Sequence, residues 1–365
     1  MQLTKVCLRN FRNYEAQEIF PAPHMNILIG ENAAGKTNIL EALFFGALGK
    51  SHRTPRDTEL IRHGEEYASV DLTLGTKAGT RSIGIRLSRS GKKKLLVDGK
   101  RLDRSGELMG CLNLVLFAPE DLTLIKSGPA ERRRFMNMAL SQQDPQYYYM
   151  LQVYNAALKE RNALLKAEEL PPESEFLPWE EQLAAAGSRI RRSRAAFCGE
   201  IARRAGEIHS RLSAEKETLF AVYRPDTELS PQDDRQLLLE KLATSRRQDQ
   251  YRGGTGTGPH RDDLLVELNG KDARSYGSQG QQRTAVLSLK IAELGMLREL
   301  RGESPVLLLD DVFSELDADR RRMLLSCCRD AQTFLTCTQM DVPEGYPRDR
   351  LRILSVRNGM VEEKG

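Results

Sequence analysis

The 365-residue chain has no apolar run approaching the ~20 residues needed to cross a membrane. Its first residues, MQLTKVCLRNFRNYE, lack the apolar core of a secretion signal. A membrane or exported protein is therefore not expected; the expected compartment is the cytoplasm. The six cysteines, at 7, 111, 198, 327, 328 and 337, show neither metal-ligand spacing nor a disulfide framework. They are expected as reduced thiols. No basic stretch is interleaved with aromatics, so stacking on single-stranded bases is not signalled. A dominant charge sign is missing too. Lys and Arg number 55 against 51 Asp and Glu, a net +4, so only the placement of charge can speak for a polyanionic partner.

What is present reads as a globular chain, 40% hydrophobic and 29% charged, long enough for two or three domains. Leu3–Leu8, Ile19–Phe20 and Met25–Ile29 read as strands, and NILEALFFGAL (38–48) as a helix. Residues 66–117 read as antiparallel β-structure, with YASVDLTLG and RSIGIRLS alternating and an Asp-Gly hairpin in KKLLVDGKRL. From about 130 to 220 the pattern is helical. After a proline-rich break (Pro171, Pro172, Pro178), Leu183, Ile190 and Phe197 recur every seven residues. That spacing predicts an arm of about 35 residues, reaching ~50 Å, and it fits an ordinary bundle core equally well. GGTGTG (253–258) reads as a flexible return.

The strongest string is Gly30-Glu31-Asn32-Ala33-Ala34-Gly35-Lys36-Thr37, a G-x-x-x-x-G-K-T loop between a strand and a helix. Glycines let backbone N–H groups curl around phosphate, and the helix start favours the anion. Lys36 can reach the outer phosphates, and the Thr37 hydroxyl can ligate Mg²⁺. The run Val306–Leu309 is an apolar strand ending in Asp310 and Asp311. Asp310 fits the Mg²⁺ carboxylate of such ATPases, and Asp311 a group orienting or deprotonating the attacking water. Lys36 and Asp310 lie 274 residues apart, so something folded is inserted between the two halves of the site. The run Ser278-Gln279-Gly280-Gln281 opens a helix shortly before the acidic strand; it fits a phosphate-facing helix start, or simply a capping serine.

The order P-loop, insert, S-x-G-Q, acidic strand and Ser314-Glu315-Leu316-Asp317 resembles ABC-type ATPase heads. Asn32, LRNFRNY (8–14), SHRT (51–54), LFAPEDL (116–122), GPAERRRFMN (128–137), GPHRDDL (258–264) and SQGQQR (278–283) resemble the bacterial RecF family of the SMC-like branch, over essentially the whole chain. The resemblance implies an α/β fold: an ABC-type P-loop head split between both chain ends (1–125 and 251–365, including the β-rich 66–117) and an inserted helical, coiled-coil-like lobe (126–250). It implies ATP and Mg²⁺, and Ser278 and Gly280 acting in trans in an ATP-dependent homodimer with Asp317 near the seam. It further implies duplex, end or gap-junction DNA, partners RecR and RecO, and help in loading RecA. Arg12, with Phe11, would lie near the base or α-phosphate, or pack at a strand end.

There are departures. Asp311 stands where transporter heads carry Glu, and with the resemblance this implies slow hydrolysis. Pro119-Glu120-Asp121 occupies the region of the usual Q-loop glutamine, and Thr336, Cys337 or Thr338 that of the switch histidine. A transporter ATPase subunit, which needs both, is the rival reading; a non-hydrolysing scaffold is a second. For DNA, residues 77–104 carry ten basic residues against two acidic, and 189–211 carry seven against two. Lys92, Lys93, Lys94, Arg191, Arg192 and Arg194 are the expected contacts, with a solvated charged face the alternative. His52–Arg53 and His260–Arg261–Asp262 are expected as hydrogen-bonded loop structure.

Overall fold

The computed structural model describes residues 1–169, 171–229, 234–338 and 346–363. Two compact units divide the chain: Met1–Asp121 with Lys290–Gly365, and Leu122–Leu289. Residues 251–289, expected with the head, thus fall in the second unit.

The first unit opens with β1 (Gln2–Phe11), β2 (Tyr14–Ile19) and β3 (Met25–Ile29), then α1 (Lys36–Leu48). β4 (Tyr67–Thr76), β5 (Gly79–Ser88), β6 (Lys94–Val97), β7 (Lys100–Arg101) and β8 (Leu114–Phe117) follow. An antiparallel sheet runs β2-β1-β4-β5-β6-β7. Its inner positions alternate along β4, where Ala68, Val70, Leu72 and Leu74 are buried. The β6–β7 hairpin turns on Asp98 (φ 50°) and Gly99 (φ 74°), the positive-φ pair of a tight hairpin.

The second unit holds α2 (Thr123–Lys126), α3 (Pro129–Gln143), α4 (Pro145–Leu164), α5 (Glu173–Leu212), β9 (Leu219–Arg224), α6 (Asp234–Arg252), β10 (Asp263–Leu268), β11 (Lys271–Asp272) and α7 (Ala273–Tyr276). The dividing pair Leu289 and Lys290 lies within α8 (Gln279–Arg301). α5 has 40 residues, ~60 Å at the usual rise. It starts before the expected break ends: Pro178 is its sixth residue, past the first turn, and the helix continues through it between buried Phe176 and Glu180 despite the lost i→i−4 hydrogen bond. α5 packs on α3, α4, α6 and β9, so its heptad stripe is the core of a lobe.

GGTGTG is pinned, contrary to the flexible return expected. Thr255 N–H and hydroxyl donate to Asn162 Oδ1 (2.8 and 2.7 Å). Gly256 N–H donates to Asp249, and Thr257 Oγ1 and Gly258 N–H to Asp226. A Cβ on Gly256 would sit 2.9 Å from Asp249 Oδ1 and one on Gly258 2.2 Å from the Tyr154 hydroxyl, so glycine permits both close approaches.

The first unit closes with β12 (Val306–Leu309), α9 (Ala318–Cys328), β13 (Thr333–Cys337), β14 (Leu351–Arg357) and β15 (Met360–Glu363). These join β3 and β8 in a second sheet, β15-β14-β3-β13-β12-β8, parallel except for β15. β12 is buried at all four residues, as expected of a central parallel strand. The strand before the glycine loop and the strand before the acids are separated by β13 alone. This brings residues 274 apart into one site.

Candidate nucleotide site

β3 delivers the chain into the loop 30–35. Ala33 (φ 64°) and Gly35 (φ 119°) take left-handed backbone. A Cβ on Gly30 would sit 2.2 Å from the Val356 carbonyl oxygen, and one on Gly35 2.6 Å from Asn13 Nδ2, so both positions require glycine. The loop is held from behind. Asn13 Nδ2 donates to Ala34 O (3.0 Å), and the buried Tyr14 hydroxyl to Gly35 O (3.0 Å). Burial pushes the Tyr14 phenol well above its ordinary range, so it stays a donor. Asn38 Nδ2 donates in turn to Asn13 Oδ1 (2.8 Å). Lys36 is buried, and its ammonium donates to Gly30 O (2.7 Å) and Glu31 O (2.9 Å). The loop borders a cavity of about 600 Å³ lined by Glu31, Asn32, Ala33, Ser355, Arg357 and Asn358, among others.

Asp310, 6% exposed, follows β12. Its Oδ1 accepts from the Thr37 hydroxyl (3.0 Å) and the Thr336 hydroxyl (2.8 Å). Burial raises its pKa, against the two hydroxyl bonds; the charges of Asp311 and Glu120 raise it further. Asp311 (φ 48°) donates its N–H to Thr336 Oγ1 (2.9 Å). Of the three residues considered for the end of the last strand, Thr336 is the one that joins both acids. Cys337 closes β13 and Thr338 lines the cavity beside the loop.

Comparison with known proteins agrees with this geometry. The family model described as "RecF/RecN/SMC N terminal domain" matches residues 2–362. The DNA replication and repair protein RecF of Alkaliphilus oremlandii is 40% identical over 366 residues, covering 99% of this chain and 100% of that protein. The RecF of Clostridium acetobutylicum is 39% identical over 367 residues, with 100% of each covered. The chain belongs to the RecF family. Among solved structures, the recombination mediator protein RecF with ATP superposes with a TM-score of 0.92 at 33% identity, covering 100% of this chain and 98% of that one. A Pyrococcus furiosus Smc head (TM-score 0.58, 18% identity, 100% and 96% covered) shares the fold. The SMC-like ABC-ATPase head expected from the motifs is therefore the fold of this RecF-family chain.

The remaining site expectations divide. Arg12 is engaged behind the loop. Its Nε and Nη2 clamp both Glu41 oxygens (2.8 Å each), and its Nη1 donates to Glu59 O (2.9 Å). Phe11 is fully buried. Glu41, on α1 and fully buried, also accepts from Ser51 Oγ (2.5 Å) and Arg53 Nη1 (3.2 Å). Burial alone would raise its pKa; the donors and the Arg12 and Arg53 charges outweigh it and hold the carboxylate below the usual range. The strings 8–14 and 51–54 thus converge behind the P-loop helix. Asn13, Tyr14 and Glu41 were not singled out from sequence; each acts through partners distant in the chain.

Ser278, in the second unit, caps α8. Its Oγ accepts from Gln281 N–H (3.3 Å), and its N–H donates to Gln281 Oε1 (2.9 Å), a reciprocal capping box. Gln279 and Gly280 are exposed, and a Cβ on Gly280 would meet nothing within 4 Å. Asp317 caps α9, accepting from Arg320 N–H (3.0 Å), and is exposed.

Two of the expected DNA contacts are corrected. Arg191 (1% exposed) bonds Asp226, Thr227 and Asp234; Arg194 (2%) bonds Pro259 O, Asp262 and Asn137. Both face the lobe's core and cannot reach a phosphate. Arg192 is exposed. Lys93 is tied to Gly49 O (2.6 Å) and Asp57 (2.9 Å). Lys92 and Lys94, exposed, pair with no carboxylate among the described residues. His260 follows the hydrogen-bonded reading: Nε2–H donates to Thr255 O (2.9 Å), leaving Nδ1 to accept from the Tyr154 hydroxyl (2.7 Å).

Proposed function

We propose that this chain is an ATP-switched DNA-binding protein of replication and recombinational repair. The observation carrying the reading is the shared Asp310 oxygen, which brings the P-loop Thr37 and the strand-end Thr336 onto the acidic strand. A hydroxyl and a buried carboxylate in contact are a hard oxygen pair of the kind that suits Mg²⁺. Thr37 and Asp310 would hold the metal, which would supply positive charge where negative charge develops on the phosphates. The loop N–H groups and the Lys36 ammonium bind the phosphates. Asp311, its backbone fixed by Thr336, orients the attacking water; its short side chain makes hydrolysis slow.

Ser278 and Gly280 present an exposed helix start, the chemistry needed to meet the γ-phosphate of a second copy. ATP would then close two copies upon duplex DNA or a gap junction, and hydrolysis would release them. RecO, RecR and RecA loading belong to the same reading, drawn from the full-length likeness to RecF proteins.

The test is dimer mass and duplex binding with and without ATP and Mg²⁺, in wild type, Lys36→Ala and Ser278→Ala. The expected result is dimerisation and tighter DNA binding with ATP in wild type only. ATP-driven dimers with no affinity for DNA would favour the transporter reading. Dimers that never turn ATP over would favour the scaffold.

A further inference from the structure

The N-terminal ends of the parallel strands, at the edge of the sheet away from the P-loop, enclose a second basin. It has a volume of about 400 Å³ and is lined by Arg298, Arg329, Arg350, His24, Asp330 and Ser304, among others. His24 precedes β3, Ser304 precedes β12, Arg329 and Asp330 precede β13, and Arg350 precedes β14. Most of the basin's wall thus stands at the starts of strands of one sheet, and Arg298, in the last turn of α8, completes it.

The charges do not cancel. Arg298 Nη2 donates to Asp330 Oδ2 (3.0 Å), which orients that guanidinium. Arg329 and Arg350 are exposed and pair with no carboxylate among the described residues. Three guanidiniums against one carboxylate leave about two positive charges on these four side chains. Tyr346, four residues before Arg350, is buried. Its hydroxyl has no hydrogen-bond partner among the described residues. Like charges gathered in a concavity without counter-charge repel one another and are stabilised by a bound anion.

We propose that this basin binds a phosphate monoester. A dianion matches the net charge. Three terminal oxygens match three guanidinium forks better than the two oxygens of a carboxylate do. Pockets of this size hold small ligands or a single protruding group. The phosphate comes from a free nucleotide or from the 5′ end of a DNA strand.

The test uses the full chain and inorganic phosphate as probe, followed by ³¹P line broadening. Lys36→Ala silences the P-loop, and the double variant Arg329→Gln/Arg350→Gln neutralises the basin. Both arginines are exposed, so the double variant should melt as wild type does. Expected is phosphate binding that persists in Lys36→Ala and weakens at least tenfold in the double variant. Binding lost in Lys36→Ala and unchanged in the double variant overturns the proposal, as does displacement by a polyglutamate peptide but not by nucleoside monophosphate. The source is read from competition. A 5′-phosphorylated duplex displacing the probe tenfold better than its 5′-hydroxyl twin identifies a DNA end. Equal displacement, with AMP effective, identifies a free nucleotide. Because Lys36→Ala is scored separately, failure of the basin and failure of the ATP reading are distinguishable.

Discussion

Arg191→Ala should destabilise the helical lobe and leave DNA binding by the folded protein unchanged. Arg191 stands among three carboxylates. It bonds Asp226 and reaches Asp234 Oδ1 at 3.5 Å, and its Nε approaches Asp262 Oδ1 at 3.7 Å. Asp262 is fully buried and is shared with Arg194 (3.1 Å). Deleting one side of a buried pair leaves uncompensated charge and costs about 3–5 kcal/mol. At ~2–4 °C per kcal/mol for a unit of this size, the lobe's melting temperature should fall by roughly 6–20 °C. Arg192→Ala, one residue on and exposed, should shift stability by less than about 0.5 kcal/mol.

The assay is calorimetry, which resolves the unit carrying the lesion, alongside duplex binding at a temperature where both variants are folded. Arg191→Ala is expected to bind DNA as wild type does when folded. Arg192→Ala is expected to melt as wild type does, with any loss appearing in the salt dependence of binding. An Arg191→Ala protein that melts within about 2 °C of wild type yet loses DNA affinity would refute the burial argument and restore the sequence expectation.

Three further outcomes follow. Gly30→Ala must push its methyl against the Val356 carbonyl oxygen at 2.2 Å, so ATP binding measured by titration should be lost; retention would show the loop is softer than drawn. Gly280→Val adds a side chain into open space, so the melting temperature should hold while ATP-driven dimerisation disappears; an intact dimer would remove Gly280 from the seam. Burial depresses His260 from the ordinary 6.5 to about 4, against its bond to Thr255. The unfolded chain then binds the extra proton first, so His260 removes stability as pH falls from 6.5 to 4 and nothing further below. Chemical unfolding of wild type and His260→Gln across that window should show the steeper slope in wild type; parallel slopes would count against a neutral buried imidazole.

The legible part of the site is the part written locally. The loop 30–37 carries its turn residues, its lysine and its hydroxyl within eight positions, and its flanking strand and helix have their own periodicity. The acids 310–311 close a short apolar run that reads as a strand and gains its meaning beside the loop 30–37. Thr336 was among the candidates because it ends the last apolar run. The buttress was illegible because Asn13 and Tyr14 meet the loop across 21 residues of sequence, and nothing local marks an asparagine as a carbonyl's partner. Pro178 reads as a stop because an interior proline costs a helix about 3 kcal/mol; α5 runs through it because Phe176 and Glu180 on either side are buried in the lobe.

The arginine error is more instructive, because the correcting signal was in view. Ile190, Phe197 and Ile201 define the buried stripe of α5, and Arg191, Arg194 and Cys198 fall on its flank, within one turn. Arg192 and Arg203 fall outside it; Arg203 pairs along the surface with Glu200 and Glu207. Counting seven basic residues against two acidic ones treated the helix as a line, whereas the helical period sorts the same residues into two populations. The carboxylates that neutralise the inner population, at 226, 234 and 262, lie 35 to 71 residues further along the chain. A basic run on a helix therefore argues for a polyanion only after the residues on the apolar stripe are removed. By that rule, of the six contacts expected, only Lys92 and Lys94 in the first unit and Arg192 in the second stay exposed and without a carboxylate partner among the described residues, and the count that matters is the smaller one.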